Sequence, residues 1–182
     1  MSTEIRQLEP RAVWNKFADL NAVPRPSKKE ERVIAFMKDF GASLSLEVIE
    51  DSVGNVIIKK PATVGMEDRK PIVMQSHLDM VHQKNNETIF DFLTEGIEMH
   101  VEGDWVKAKG TTLGADNGLG VATIMAVLES NDISHPAIEA LFTIDEETGM
   151  TGAMGLKGGL LSGTILLNLD TEEDDEIGVG CA

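Results

Sequence analysis

The chain has 182 residues, 42% hydrophobic and 26% charged, and its 31 acidic against 16 basic side chains leave a net charge of −15. A chain of this length buries about 70% of its unfolded surface without help from disulfides. The acidity repels phosphate backbones and anionic lipid, so neither nucleic acid nor membrane is an expected partner. The N-terminal residues lack the apolar stretch of a signal peptide, and the apolar run from Leu119 to Leu128 is too short to span a bilayer. The one cysteine, Cys181, excludes an internal disulfide and fits a reducing compartment, so a cytoplasmic location is expected.

In chain order, Pro10 opens a helix with Val13, Trp14, Phe17 and Leu20 at helical spacing, and Pro24 and Pro26 close it. Ser27 and Glu30 match a capping box for a second helix that carries Val33, Ile34, Phe36, Met37 and Phe40 and stops at Gly41. Leu44, Leu46 and Val48 alternate as a strand, and Gly54-Asn55 turns into another over Val56 to Lys60. After a polar connection come a buried strand from Ile72 to Gln75, a polar loop to Gly96, and a short strand from Trp105 to Lys109. A glycine-rich loop, GTTLGADNG, then leads into the helix over Leu119 to Leu128, which is apolar nearly all round and must be covered on several sides. Strands at Ala137 to Ile144 and Ile165 to Leu169 follow. The alternation predicts an α/β domain with a mainly parallel central sheet flanked by helices. Ile177 to Val179 begins to read as a further strand, so the chain is expected to be a piece of a longer protein.

The acids and one histidine fall where chemistry is expected. His77, Asp79, Glu146, Glu147 and Asp170 follow the carboxyl ends of apolar strands, and Asp116 sits in the glycine-rich loop before a helix. In open α/β sheets this edge is the ligand crevice. Carboxylates gathered there repel one another and desolvate badly unless a cation neutralises them. Nitrogen and carboxylate donors suit zinc, with manganese or cobalt as alternatives, and two metals are possible. Residues 77 and 79 share a face of an extended chain, so one can hold metal while the other orients the imidazole. Glu146 and Glu147 diverge, which suits one ligand and one free base. Taken singly, each has an ordinary reading: Asp116 as a helix N-cap, the glutamates and the acidic run from Glu172 to Glu176 as solvated charge. His82, His100 and His135 carry no partner pattern. Met74, Met80, Met125, Met150 and Met154 read as core filler. The glycine-rich loop lacks the Lys-Ser/Thr pair of a phosphate-binding loop, and no nucleophile elbow is present.

HLDM at 77–80, GTTLGADNGLGVA at 110–122, DEETGMTGA at 145–153 and NLDTEE at 168–173 resemble the aminoacylhistidine dipeptidases. These are the Xaa-His branch of the dinuclear zinc peptidases. PRPSKKEE at 24–31, DSVGNVIIKKPAT at 51–63 and QSHLDMVHQKNN at 75–86 extend the likeness over nearly the whole chain. The resemblance implies that His77 ligates one of two zinc ions, that Asp116 bridges both, and that Glu147 and Asp170 each bind one. Asp79 would then orient His77, Glu146 would be the general base, and the Asp116–Asn117 peptide would be cis. The implied reaction is hydrolysis of small peptides ending in histidine, such as β-alanyl-histidine. The same likeness implies that residues 1–182 are the N-terminal part of a catalytic domain in a homodimer. A lid or dimerisation domain and a returning segment with a last histidine ligand would lie elsewhere, leaving this chain inactive alone. Two other readings fit the same residues: a tripeptide aminopeptidase or N-acyl amino acid deacylase, and a non-catalytic acidic binding domain.

Overall fold

The computed structural model describes residues 3–171 and 177–180; Cys181 and the acidic run at 172–176 lie outside the described residues. Helix α1 (Arg11–Asn21) starts behind Pro10 and buries Phe17 and Leu20, and α2 (Glu31–Ser43) buries Val33 and Met37. Strands β1 (Glu47–Glu50), β2 (Val56–Lys60) and β3 (Ile72–His77) follow, then a hairpin of β4 (Met99–Glu102) and β5 (Trp105–Ala108). The long α3 (Ala115–Glu129) leads to β6 (Ile138–Thr143), the short helices α4 (Glu146–Gly149) and α5 (Thr151–Gly155), and β7 (Ile165–Asn168). Among the described residues no helix is long and apolar enough to cross a membrane.

Five strands form one sheet in the order β1-β2-β6-β3-β7. The β1–β2 and β2–β6 ladders are antiparallel, whereas β6–β3 and β3–β7 are parallel, so β2 alone runs against the other four. Side chains alternate between the two faces of a strand, and the core divides accordingly. Val56, Ile58, Met74, Ala140 and Phe142 pack under Leu20, Val33 and Met37 of the first two helices and under Val121, Ile124, Met125 and Leu128 of α3. On the opposite face Ile57, Val73 and Leu141 meet Leu156, Leu160 and Leu161 from the segment after α5. The all-round apolar helix is thus covered by α1 on one side and the sheet on another, as its composition requires.

Several local expectations change. Ser27 and Glu30 form no capping box: the residue before α2 makes no side-chain cap, because both side chains are taken up at the sheet mouth. Helix α2 runs past Gly41 to Ser43. Gly41 is there for close packing instead, since a Cβ would lie 2.5 Å from Val48. The first strand begins only at Glu47, and β4 forms over MHVE, an alternation too short to announce a strand by itself. Residues 177–180 form no strand, and Ile177 and Val179 are exposed. Met74, Met80 and Met125 are buried as expected, but Met150 and Met154 are exposed.

Register brings the chemistry together. His77 at the end of β3 lies opposite Thr143 at the end of β6, so the segments leaving both strands emerge side by side. Asn168 of β7 pairs with Gln75, which puts Asp170 at the same edge. The start of α3 packs over β3 and delivers Asp116 from above.

Candidate metal centre

His77 is 1% exposed, and its two ring nitrogens face different partners. Nδ1 lies 3.3 Å from Asp79 Oδ1 and 3.1 Å from the Asp79 carbonyl oxygen. Nε2 lies 3.0 Å from Asp116 Oδ1, 3.9 Å from Asp170 Oδ1 and 4.0 Å from Glu146 Oε2. Ligand atoms of His77, Asp116 and Asp170 all fall within 4.8 Å of one another. A buried nitrogen with carboxylates from two other segments is a donor set that suits zinc, manganese or cobalt. Asp116 is not an N-cap. Its backbone is non-helical at ψ 114, no side chain caps α3, and its carboxylate stays open to solvent beside the ring. The Asp116–Asn117 peptide is cis. Glu147 stands apart from this group: its Oε1 accepts the Val81 N–H at 3.4 Å. Burial and the neighbouring Asp116 charge raise its pKa.

Asp79 anchors the ring from behind. It is fully buried and accepts from the Ser27 hydroxyl at 2.8 Å and from the Glu146 and Glu147 N–H groups at 3.0 and 3.3 Å. Burial alone would raise its pKa, but His77, the Glu146 amide and Ser27 outweigh it and hold the carboxyl below its usual range. The one carboxylate therefore fixes both the imidazole and the backbone that carries the two glutamates. Glu30 and Asp145 lie beside it, both buried. Asp145 sits at φ +50, a region L residues rarely adopt, held by its N–H on Glu30 at 3.1 Å and by the Thr148 and Thr151 hydroxyls on its carboxylate. This turn swings Glu146 back over the sheet edge.

Sequence reasoning missed Arg25, which is 1% exposed. Its guanidinium donates to the carbonyls of Leu78, Asp79 and Gly114 and to Asn21, tying the exit of β3 to the loop that carries Asp116. A Cβ on Gly114 or Gly118 would lie 2.5 or 2.6 Å from it, so two glycines of GADNG make room for a buried cation. Burial lowers its pKa to about 10, against the pull of Asp79, Asp116 and Glu147. An arginine between Pro24 and Pro26, with unexplained glycines downstream, is the only sequence trace.

Burial would lower the His77 pKa, but the Asp79 hydrogen bond and the charges of Asp79 and Asp170, with Asp116, reverse this and push it up to about 9. The metal-free folded chain therefore holds a proton that the unfolded chain releases near 6.5. Its contribution to stability is complete below that pH and is lost as pH rises through about 9. Urea denaturation of metal-free chain across this window should show stability falling, and saturating zinc, which displaces the proton, should remove the decline. A flat metal-free profile would contradict the assignment of the ring.

An α/β sheet that gathers one imidazole and several carboxylates at its parallel strand ends defines a candidate divalent-metal centre. The chain is 48% identical to the cytosol non-specific dipeptidase of Escherichia coli (strain K12), over 180 residues. That alignment covers 99% of this chain and 37% of the relative. An aminoacylhistidine dipeptidase structure from Vibrio alginolyticus superposes with a TM-score of 0.92 at 50% identity, over 94% of this chain and 35% of that one. A Staphylococcus aureus tripeptidase shares the fold alone, with a TM-score of 0.75 at 23% identity, over 92% of this chain and 45% of that one. No protein-family model matches. In sequence and fold the chain is similar to these two dipeptidases over nearly its whole length, and it spans little more than a third of theirs.

Proposed function

We propose that this chain is the N-terminal part of the catalytic domain of a zinc-dependent dipeptidase acting on peptides with C-terminal histidine. The convergence of His77 Nε2 with Asp116 and Asp170, while Asp79 holds Nδ1, carries this reading. Identity to a named dipeptidase across 99% of the chain supports the reaction class. His77, Asp116, Glu147 and Asp170 would hold two zinc ions. Such a pair supplies an acidified water and an electrophile for the scissile carbonyl. Glu146, a third exposed and outside the ligand group, receives the water's proton and returns it to the leaving amine. Asp79 keeps the ring oriented, and its bonds to the 146 and 147 amides keep the base over the site. A segment outside this chain supplies the last ligand and the lid, and the whole protein is a cytoplasmic homodimer.

The test uses the complete protein with zinc, offered β-alanyl-histidine, a tripeptide and an N-acetyl amino acid in separate assays. Hydrolysis of the dipeptide, with the 182-residue chain inactive alone, is the expected result. Preference for the tripeptide or the acylated amino acid moves the assignment to another metallohydrolase. Robust turnover by the chain alone contradicts the shared site. No zinc uptake by either protein returns the cluster to surface charge on a binding domain.

A further inference from the structure

The amide of Asn117 is 3% exposed and reaches across from the start of α3 to the segment after β7. Its Nδ2 donates to the Leu169 carbonyl at 2.8 Å and to Asp170 Oδ1. Its Oδ1 is buried without a partner, and so is the hydroxyl of Ser76, the residue before His77. A Cβ on Gly120 would collide with Asn117 Oδ1, Ser76 Oγ and the Leu169 carbonyl alike, so these three oxygens crowd a single point beside the helix. Glycine at 120 is what lets the amide lie there.

We infer that Asn117 is a positioning residue for Asp170, and that Ser76 braces it. This rests on reading Asp170 as a metal ligand. A carboxylate has two oxygens and a freely turning terminal torsion. The amide donor holds Oδ1, the same oxygen that lies 3.9 Å from His77 Nε2, and so fixes how the carboxylate faces the imidazole. Because the Nδ2 donor also holds the Leu169 carbonyl, the same group sets the side chain and the backbone of the segment that carries it. A small slide of Ser76 toward Asn117 would let its hydroxyl donate to the orphan Oδ1, completing a chain from β3 through α3 to Asp170. Partners of this kind are typically worth about 10–100-fold in metal affinity.

Zinc affinity of the 182-residue chain is read at 25 °C by competition with a chromophoric chelator, with far-UV circular dichroism as the check on folding. Asn117→Ala should bind about 10–100-fold more weakly than wild type with an unchanged spectrum. Asn117→Asp, which puts a like charge against Asp170, should bind more weakly still. A merely structural asparagine would lower the melting temperature and leave affinity alone, and wild-type affinity in folded Asn117→Ala overturns the proposal. If neither variant folds, Ser76→Ala decides: weakened zinc binding supports the brace, and wild-type affinity overturns it. A wild-type chain that takes up no zinc instead contradicts the reading of the site, and this proposal falls with it.

Discussion

Glu146→Gln in the complete zinc-loaded protein is expected to lower kcat by about 10²–10⁴-fold, the range a positioned general base contributes. The carboxylate lies 4.0 Å from His77 Nε2, close enough to reach a water shared by the cluster, yet outside the group of mutually close ligand atoms. Its backbone N–H is fixed on Asp79, so the amide substitution keeps the main chain in place. Zinc content and KM should therefore stay near wild type while kcat collapses. Loss of zinc in Glu146→Gln would make this residue a ligand and would require another base.

Asp79→Ala should cost about 3–5 kcal/mol in urea denaturation. Removing this carboxylate leaves two amide N–H groups without their acceptor, and leaves the buried imidazole and the Ser27 hydroxyl only the carbonyls of residues 79 and 80. Each unpaired buried polar group is penalised in full by desolvation, and a charged ring more so. Asp79→Asn keeps the shape but cannot accept from all four, so it should fall between wild type and alanine. Both variants should also bind zinc about 10–100-fold more weakly, because the ring loses its orienting partner. Wild-type stability in Asp79→Ala would show that the cluster behind His77 is not holding the sheet mouth together.

The residues at strand ends were legible because their positions obey topology. An apolar run that ends abruptly in His-x-Asp or Asp-Glu-Glu announces a strand and its crevice together, and registers of β3 with β6 and β7 turn those endings into neighbours. The sheet was readable for the same reason, its buried strands being nearly unbroken apolar runs. Ser27 and Glu30 misled because a capping box and a pair of side chains serving a distant carboxylate use the same residue types. Only the fold, which brings Asp79 and Asp145 to them, separates the two. Arg25 and Asn117 left almost no trace, since burial of a guanidinium or an amide depends on partners more than fifty residues away. Resemblance groups Glu147 with the ligands, whereas in the fold its carboxylate accepts the Val81 N–H.

Anomalous diffraction at the zinc edge from crystals of the zinc-loaded chain tests the convergence most directly. A peak is expected about 2.0–2.2 Å from His77 Nε2 and from oxygens of Asp116 and Asp170. Density at Glu30, Asp79 and Asp145 instead, or an imidazole still hydrogen-bonded to Asp116 with no metal beside it, would contradict the account.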